Sequence, residues 1–226
     1  MPSLCIFQRF SLFCELVLTQ IFYQDEINII ISHCIKEAKS TNDFSFLAIP
    51  LFFYTGMRIG ECLGLSFKDC NEKENTIYVH SMLAAIDERL PDGTLAKRRY
   101  EIVDFLKGNG DPREIILSKS CFEIINLVQK LQFKVGKISP YLFPDISQSN
   151  IEWKLYRICD SLGINRRSPH KWRKTYISKL LNTGADPDFV RNQVGHKELQ
   201  TTLNSYSYST SRKDEQLDVL ERALSS

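Results

Sequence analysis

The chain has 226 residues, 43% hydrophobic and 25% charged, with 29 Lys and Arg against 27 Asp and Glu for a formal net charge of +2. That length and apolar content suffice for one large domain, or one domain plus an extension, around a sizeable core. The near-neutral total excludes a polycationic chain, so any preference for a polyanion must lie in how the charge is distributed.

The first segment, MPSLCIFQRFSLFCELVLTQIFY, is apolar but interrupted by Arg9 and Glu15, and no small-residue cleavage site follows it. It reads as neither a spanning helix nor a secretory signal, but as a helical extension or the stub of a preceding domain. From Gln24 to Lys39 the spacing of Ile27, Ile30, Ile31, Cys34 and Ile35 predicts an amphipathic helix, with Asp25 or Asn28 as its cap. After the polar break at 39–43, the run FSFLAIPLFFYTG predicts a buried helix ending near Gly56, kinked at Pro50. A short helix carrying Arg58, Glu61 and Leu65 follows.

The pattern then changes. Residues 76–86 and 98–106 are rich in β-formers and are separated by a Pro-Asp-Gly turn signal. A second turn at 107–112 leads into REIIL at 113–117. Together they predict a small three-stranded antiparallel sheet inside a mainly α chain, an α+β fold. Helices resume after Ser118. One stripe holds Leu127, Val128, Leu131 and Val135, and another holds Trp153, Leu155, Tyr156 and Cys159. A third helix opens at Ser168-Pro169 and stops at Gly184; a fourth runs from Asp186-Pro187 to Gly195. A last amphipathic stretch puts Leu217, Leu220 and Leu224 on one face.

Seven cysteines, at 5, 14, 34, 62, 70, 121 and 159, form no C-x-x-C pair and no zinc-like spacing with histidine. They read as reduced and mostly buried, as in a cytoplasmic protein. Charge is uneven: residues 150–213 carry 12 Lys and Arg against 5 Asp and Glu, a basic surplus that suits a polyanion as well as a merely solvated face.

Four local patterns carry chemistry. In TGMRIGE a glycine ends one helix and Arg58 starts the next, where an anion meets a guanidinium and backbone N–H groups; Glu61, one turn on, orients the arginine. Lys107 stands at the tip of the predicted hairpin, beside Gly108 and Gly110, which permit a sharp turn. His170 and Arg173, three apart, share a helix face and set a proton-transfer group beside a bidentate phosphate clamp. His196 follows a helix-ending glycine, with Tyr206 ten residues on. Taken singly each has an ordinary reading: a surface ion pair, a solvated turn lysine, a chance spacing, a core or surface tyrosine.

In this order, Arg58, Lys107, His170-x-x-Arg173, Gly195-His196 and Tyr206 resemble the tyrosine recombinases, the phage integrase family. TGMRIGE, the hairpin lysine followed by R-x-I-x-L, and VGH with an intervening TTL before the tyrosine agree with it in wording. The resemblance spans roughly residues 22–210, a whole catalytic domain, with 1–21 as a stub of a core-binding domain and 211–226 as a helical tail exchanged between subunits. Within the family it looks most like integrases of phages and conjugative transposons. It implies site-specific recombination, integration or excision of a mobile element, through a 3′-phosphotyrosyl intermediate and a free 5′-hydroxyl. Arg58 and Arg173 would clamp the scissile phosphate and Lys107 would protonate the leaving 5′-oxygen. His170 would assist proton transfer, His196 would hydrogen-bond the phosphate and Tyr206 would attack. Neither metal nor nucleotide cofactor is implied. The implied partner is double-stranded DNA at attachment sites, bound by a tetramer that is monomeric off DNA, with room for a directionality factor and no membrane association.

Two departures from the family stand out. Only about 20 residues precede the matched region, where the family carries the helical domain that clasps the other face of DNA, so a piece of a longer protein or a truncated product with weak DNA affinity is expected. After Lys107 comes Gly-Asn-Gly, where many relatives have threonine, which predicts an unusually mobile loop. Tyr208 is the neighbouring candidate nucleophile; the ten-residue spacing from His196 favours Tyr206. Other functions compatible with parts of the pattern are those of a type IB topoisomerase, a non-catalytic DNA-binding remnant and a helical scaffold.

Overall fold

The computed structural model describes residues 21–87, 89, 92, 94, 99–107, 110–203 and 217. Its centre is a short helix, α2 (Ala48–Thr55), in which every residue but Tyr54 is buried. It follows α1 (Gln24–Thr41) and a single 3-10 turn at Phe44–Leu47. The predicted long helix is therefore two pieces, a 3-10 turn running directly into an α-helix, and Pro50 follows the junction. It lies in the first turn of α2, where a backbone N–H has no intrahelical acceptor to lose. Neither Asp25 nor Asn28 caps α1; Glu26 reaches back to accept the Tyr23 N–H at 2.8 Å.

Around α2 pack α1, α3 (Ile59–Gly64), α4 (Lys119–Lys134), α5 (Gln148–Ser161) and α6 (Pro169–Asn182). Aromatic packing anchors the last of these. Trp172, 1% exposed, stacks on Phe53 with ring centroids 5.0 Å apart and also meets Phe22 and Phe52. On α5 the buried stripe is Ile151, Leu155, Ile158 and Cys159, while the expected member Trp153 is 55% exposed with the Arg157 guanidinium over its ring. A second, smaller apolar cluster joins Ile177 and Leu181 of α6 to Val190 and Val194 of α7 (Pro187–Val194). The last described element is α8 (Leu199–Leu203).

The β portion differs from the single sheet expected. The run 76–86 breaks at His80-Ser81 into β2 (Thr76–Val79) and β3 (Met82–Ile86), which join different sheets. β2 is central in a three-stranded antiparallel sheet, between β1 (Cys70–Asn71) and β5 (Arg113–Ile116). Among the described residues β3 pairs only with β4 (Arg99–Val103), with Ala84 opposite Glu101. The break is fixed on both sides. Ser81 is buried and its hydroxyl donates to Gly64 O, and a His80 ring nitrogen lies 3.2 Å from the Asp69 carboxylate. The start of β3 lies flush on α3 because Gly60 and Gly64 present no side chain; a Cβ at Gly64 would stand 2.7 Å from Met82 Cα. Of the Pro-Asp-Gly turn, Asp92 is described, and its carboxylate accepts both the N–H and the hydroxyl of Thr94.

Five cysteines, 34, 62, 70, 121 and 159, are free, and all but Cys70 are buried. No helix among the described residues is long and apolar enough to cross a membrane. The segment 1–20, Tyr206, Tyr208 and the tail residues Leu220 and Leu224 lie outside the described residues.

Candidate active site

Two helix ends build the site. Helix α2 terminates at Gly56 and helix α7 at Gly195, both in the left-handed region with φ of 61° and 68°. The last carbonyls of any helix lack intrahelical donors; here arginines take them. Gly56 O accepts Arg173 Nη1 at 2.9 Å. At the end of α7 three successive carbonyls serve three arginines. Gln193 O accepts Arg113 Nε at 3.3 Å, Val194 O accepts Arg173 Nη2 at 2.5 Å, and Gly195 O accepts Arg58 Nη2 at 3.4 Å. Glycine is required at the turn for a further reason: a Cβ on Gly195 would stand 2.7 Å from the Arg113 guanidinium carbon.

Glu61 is the shared counter-charge. Fully buried on α3, it accepts Arg58 Nη1 on Oε1 and Arg113 Nη2 on Oε2, each at 2.8 Å, and Oε2 also accepts the Arg58 N–H at 3.0 Å. Burial alone would raise its pKa, but the Arg113 and Arg58 guanidinium groups outweigh burial and hold it below the usual carboxylate range.

Helix α6 presents the other two predicted groups. Ser168 is its N-cap residue and Pro169 its first residue, which starts the helix just before His170. Trp172 points into the aromatic core, Arg173 is 5% exposed, and His170 sits at the surface. Burial, then the neighbouring Arg58, push Arg173 down to about 9, which still leaves it a cation at neutral pH. His170 is held below the usual histidine range by partial burial and then by Lys174, Arg173, Lys171 and Arg58. His196, the first residue after the α7 turn, is pushed down to about 4 by burial, then by Arg173, Arg58, His170 and Arg113. One of its ring nitrogens lies 3.0 Å from the buried Thr202 hydroxyl on α8. Two neutral imidazoles beside three guanidiniums form a site that favours an anion, because each cation raises the cost of protonating its neighbours.

Arg58, Glu61, His170, Arg173 and His196 are thus brought together. Lys107 is exposed on the connection from β4 to β5, where Leu106 and Gly110 form an isolated bridge rather than the tip of a strand hairpin. Among the described residues no hydrogen bond or ion pair joins Lys107 to the cluster. Tyr206 lies outside the described residues, three beyond the last residue of α8. Sequence reasoning missed Arg113 as a site residue: the R-x-I-x-L wording was in view, and its arginine on a strand of otherwise apolar character was the available signal. An open cavity of about 650 Å³ between the β3–β4 ribbon and residues 137–147 is lined by none of these groups.

Residues 20–213 match the phage integrase family, and the chain belongs to it. It is similar to the integrase of Staphylococcus phage L54a, at 25% identity over 183 residues covering 76% of this chain and 49% of that protein. The tyrosine recombinase XerC of Pediococcus pentosaceus is 28% identical over 198 residues, covering 87% of this chain and 60% of that protein. Among solved structures, the Tn1549 transposon integrase in complex with a circular intermediate DNA superposes with a TM-score of 0.64 at 20% identity, over 90% of this chain and 65% of that one. The XerA recombinase gives 0.63 at 20% identity, over 90% of this chain and 64% of that one. The fold is therefore that of a tyrosine recombinase catalytic domain, and the chain spans about half to three fifths of the length of these two curated relatives.

Proposed function

We propose that residues 22–210 act as the catalytic domain of a site-specific DNA recombinase that integrates or excises a mobile element. The observation that carries this is the convergence of Arg58, Arg113 and Arg173 on three successive carbonyls at the end of α7, with Glu61 paired to Arg58 and Arg113 and with His170 and His196 beside them. Arg58 and Arg173 clamp the non-bridging oxygens of the scissile phosphate and offset charge that builds up in the transition state. Tyr206 Oη attacks phosphorus, forming the 3′-phosphotyrosyl bond as the bond to the 5′-oxygen breaks; Lys107 gives that oxygen its proton. His170 takes the tyrosyl proton, for which a neutral imidazole is needed, and the lowered pKa of His170 supports that role. His196 hydrogen-bonds the phosphate. The covalent link keeps the phosphodiester energy, so rejoining runs the same steps backwards without ATP.

On this reading the substrate is duplex DNA at attachment sites, bound by a tetramer assembled from monomers, with residues 211–226 exchanged between subunits and a directionality factor as accessory. The integrase and XerC relatives and the XerH recombinase solved on its difH substrate support a DNA substrate. The free cysteines support a cytoplasmic site of action. The test is incubation with nicked attachment-site DNA in EDTA, followed by a denaturing gel. A covalent protein–DNA band that disappears in Tyr206→Phe is the expected result. A band that survives in that variant would move the nucleophile elsewhere, Tyr208 first. DNA binding without any band would leave a DNA-binding module in place of the enzyme.

A further inference from the structure

Among the described residues, strand β5 lies at the edge of its sheet, paired with β2 on one side only. On the other side a single buried side chain stands in for a neighbouring strand. The Gln193 carboxamide donates to Ile116 O at 3.0 Å and accepts from Ile116 N at 2.9 Å, while Gln193 itself is 5% exposed. An edge left open presents unpaired backbone groups, and this amide satisfies one donor and one acceptor together. Both ends of the strand are thereby tied to the same turn of α7, because Arg113, at the start of β5, donates to the Gln193 carbonyl.

That turn also carries the Val194 and Gly195 carbonyls that hold Arg173 and Arg58, and it ends at His196. We propose that Gln193 is a positioning residue for the reaction: by locking the last turn of α7 to β5, it sets the spacing of the three arginines and His196. The proposal rests on the recombinase reading for its kinetic consequence, though not for its geometry. Methionine at this position keeps length and apolar volume but satisfies neither Ile116 group. The turn then loses its register on the strand while α7 keeps its apolar anchors Val190 and Val194. A misplacement of about 1 Å at a site of this kind costs on the order of 100-fold in rate.

The experiment compares wild type, Gln193→Met and Val190→Ala, a cavity variant that weakens α7 without touching β5. Each is measured for DNA affinity, for the single-turnover rate of covalent adduct formation at saturating nicked DNA, and for the arginine Nε–H signals in NMR spectra. The expected result for Gln193→Met is a rate lowered roughly 10- to 100-fold at unchanged affinity, with faster solvent exchange at Arg113 Nε–H. Val190→Ala should lose thermal stability and keep its rate. A wild-type rate in Gln193→Met, or an equal slowing in Val190→Ala, would overturn the proposal. Should wild type form no adduct, the recombinase reading fails on its own. The positional claim is then decided by the arginine signals, and it falls if they are the same in wild type and Gln193→Met.

Discussion

Glu61 and Arg113 stand 52 residues apart in sequence, and their side chains meet as a two-pronged pair, with Nη2 to Oε2 at 2.8 Å and Nη1 to Oε1 at 3.4 Å. The pair ties helix α3 to strand β5, and because Glu61 also takes Arg58, one carboxylate aligns two guanidiniums. Its loss would do more than remove a salt bridge: it would leave two partly buried cations without their counter-charge.

Glu61→Gln should therefore destabilise the chain by about 3–5 kcal/mol, the range for breaking a buried pair from one side. Sulfate or phosphate should restore more stability to the variant than to wild type, since an anion substitutes for the missing charge. Urea denaturation with and without sulfate checks both statements; equal anion stabilisation of the two proteins would count against them.

Gly195→Ala tests the α7 turn. The new methyl would meet the Arg113 guanidinium at 2.7 Å in a backbone at φ 68°. The left-handed conformation alone costs a non-glycine residue about 1–2 kcal/mol, and displacement of Arg113 adds to it. A urea midpoint unchanged from wild type would show that the turn tolerates a side chain.

His196 should give the protein an acid-sensitive component of stability. Its folded pKa of about 4 lies below the value of about 6.5 expected in the unfolded chain, so between these values the unfolded state binds more protons. The stabilisation is complete above about pH 6.5 and is lost as pH falls through about 4. Denaturation midpoints from pH 7 to 4 should drop more steeply in wild type than in His196→Gln. Phosphate or DNA in the site should raise the His196 pKa, read from its ring proton shifts.

Away from the site, Arg167 and Glu26 form a buried pair at 3.0 Å, with the guanidinium also over the Phe22 ring. Arg167→Met should cost about 3–5 kcal/mol by stranding the Glu26 carboxylate. Adding Glu26→Gln should recover part of that, because the amide still accepts from Tyr23 N–H and carries no charge. A double variant no more stable than the single one would place the loss in packing alone.

Much of this was legible in the sequence for a physical reason: apolar periodicity and helix-end chemistry are local. Ser168-Pro169 starts α6 and Gly195 ends α7 as read, and the H-x-x-R spacing sets His170 and Arg173 one turn apart. What stayed hidden depends on partners distant in the chain. The β-run 76–86 reads as one strand, yet Ser81 bonds Gly64 and the two halves part company. Trp153 fits an apolar stripe by type but faces outward, over which Arg157 folds. Arg113 looks like a strand residue until Glu61 and Gln193 are beside it.

Arg173 is held by two backbone carbonyls, Gly56 O and Val194 O, and among the described residues no carboxylate forms an ion pair with it. A carbonyl offers a dipole and not a unit of charge, so the guanidinium is immobilised without being neutralised. Where a carboxylate partner would have to be exchanged for an incoming phosphate, a carbonyl partner can stay. On the proposed function, the reorganisation energy that normally accompanies anion capture would be small at this residue, since the protein met it when the chain folded.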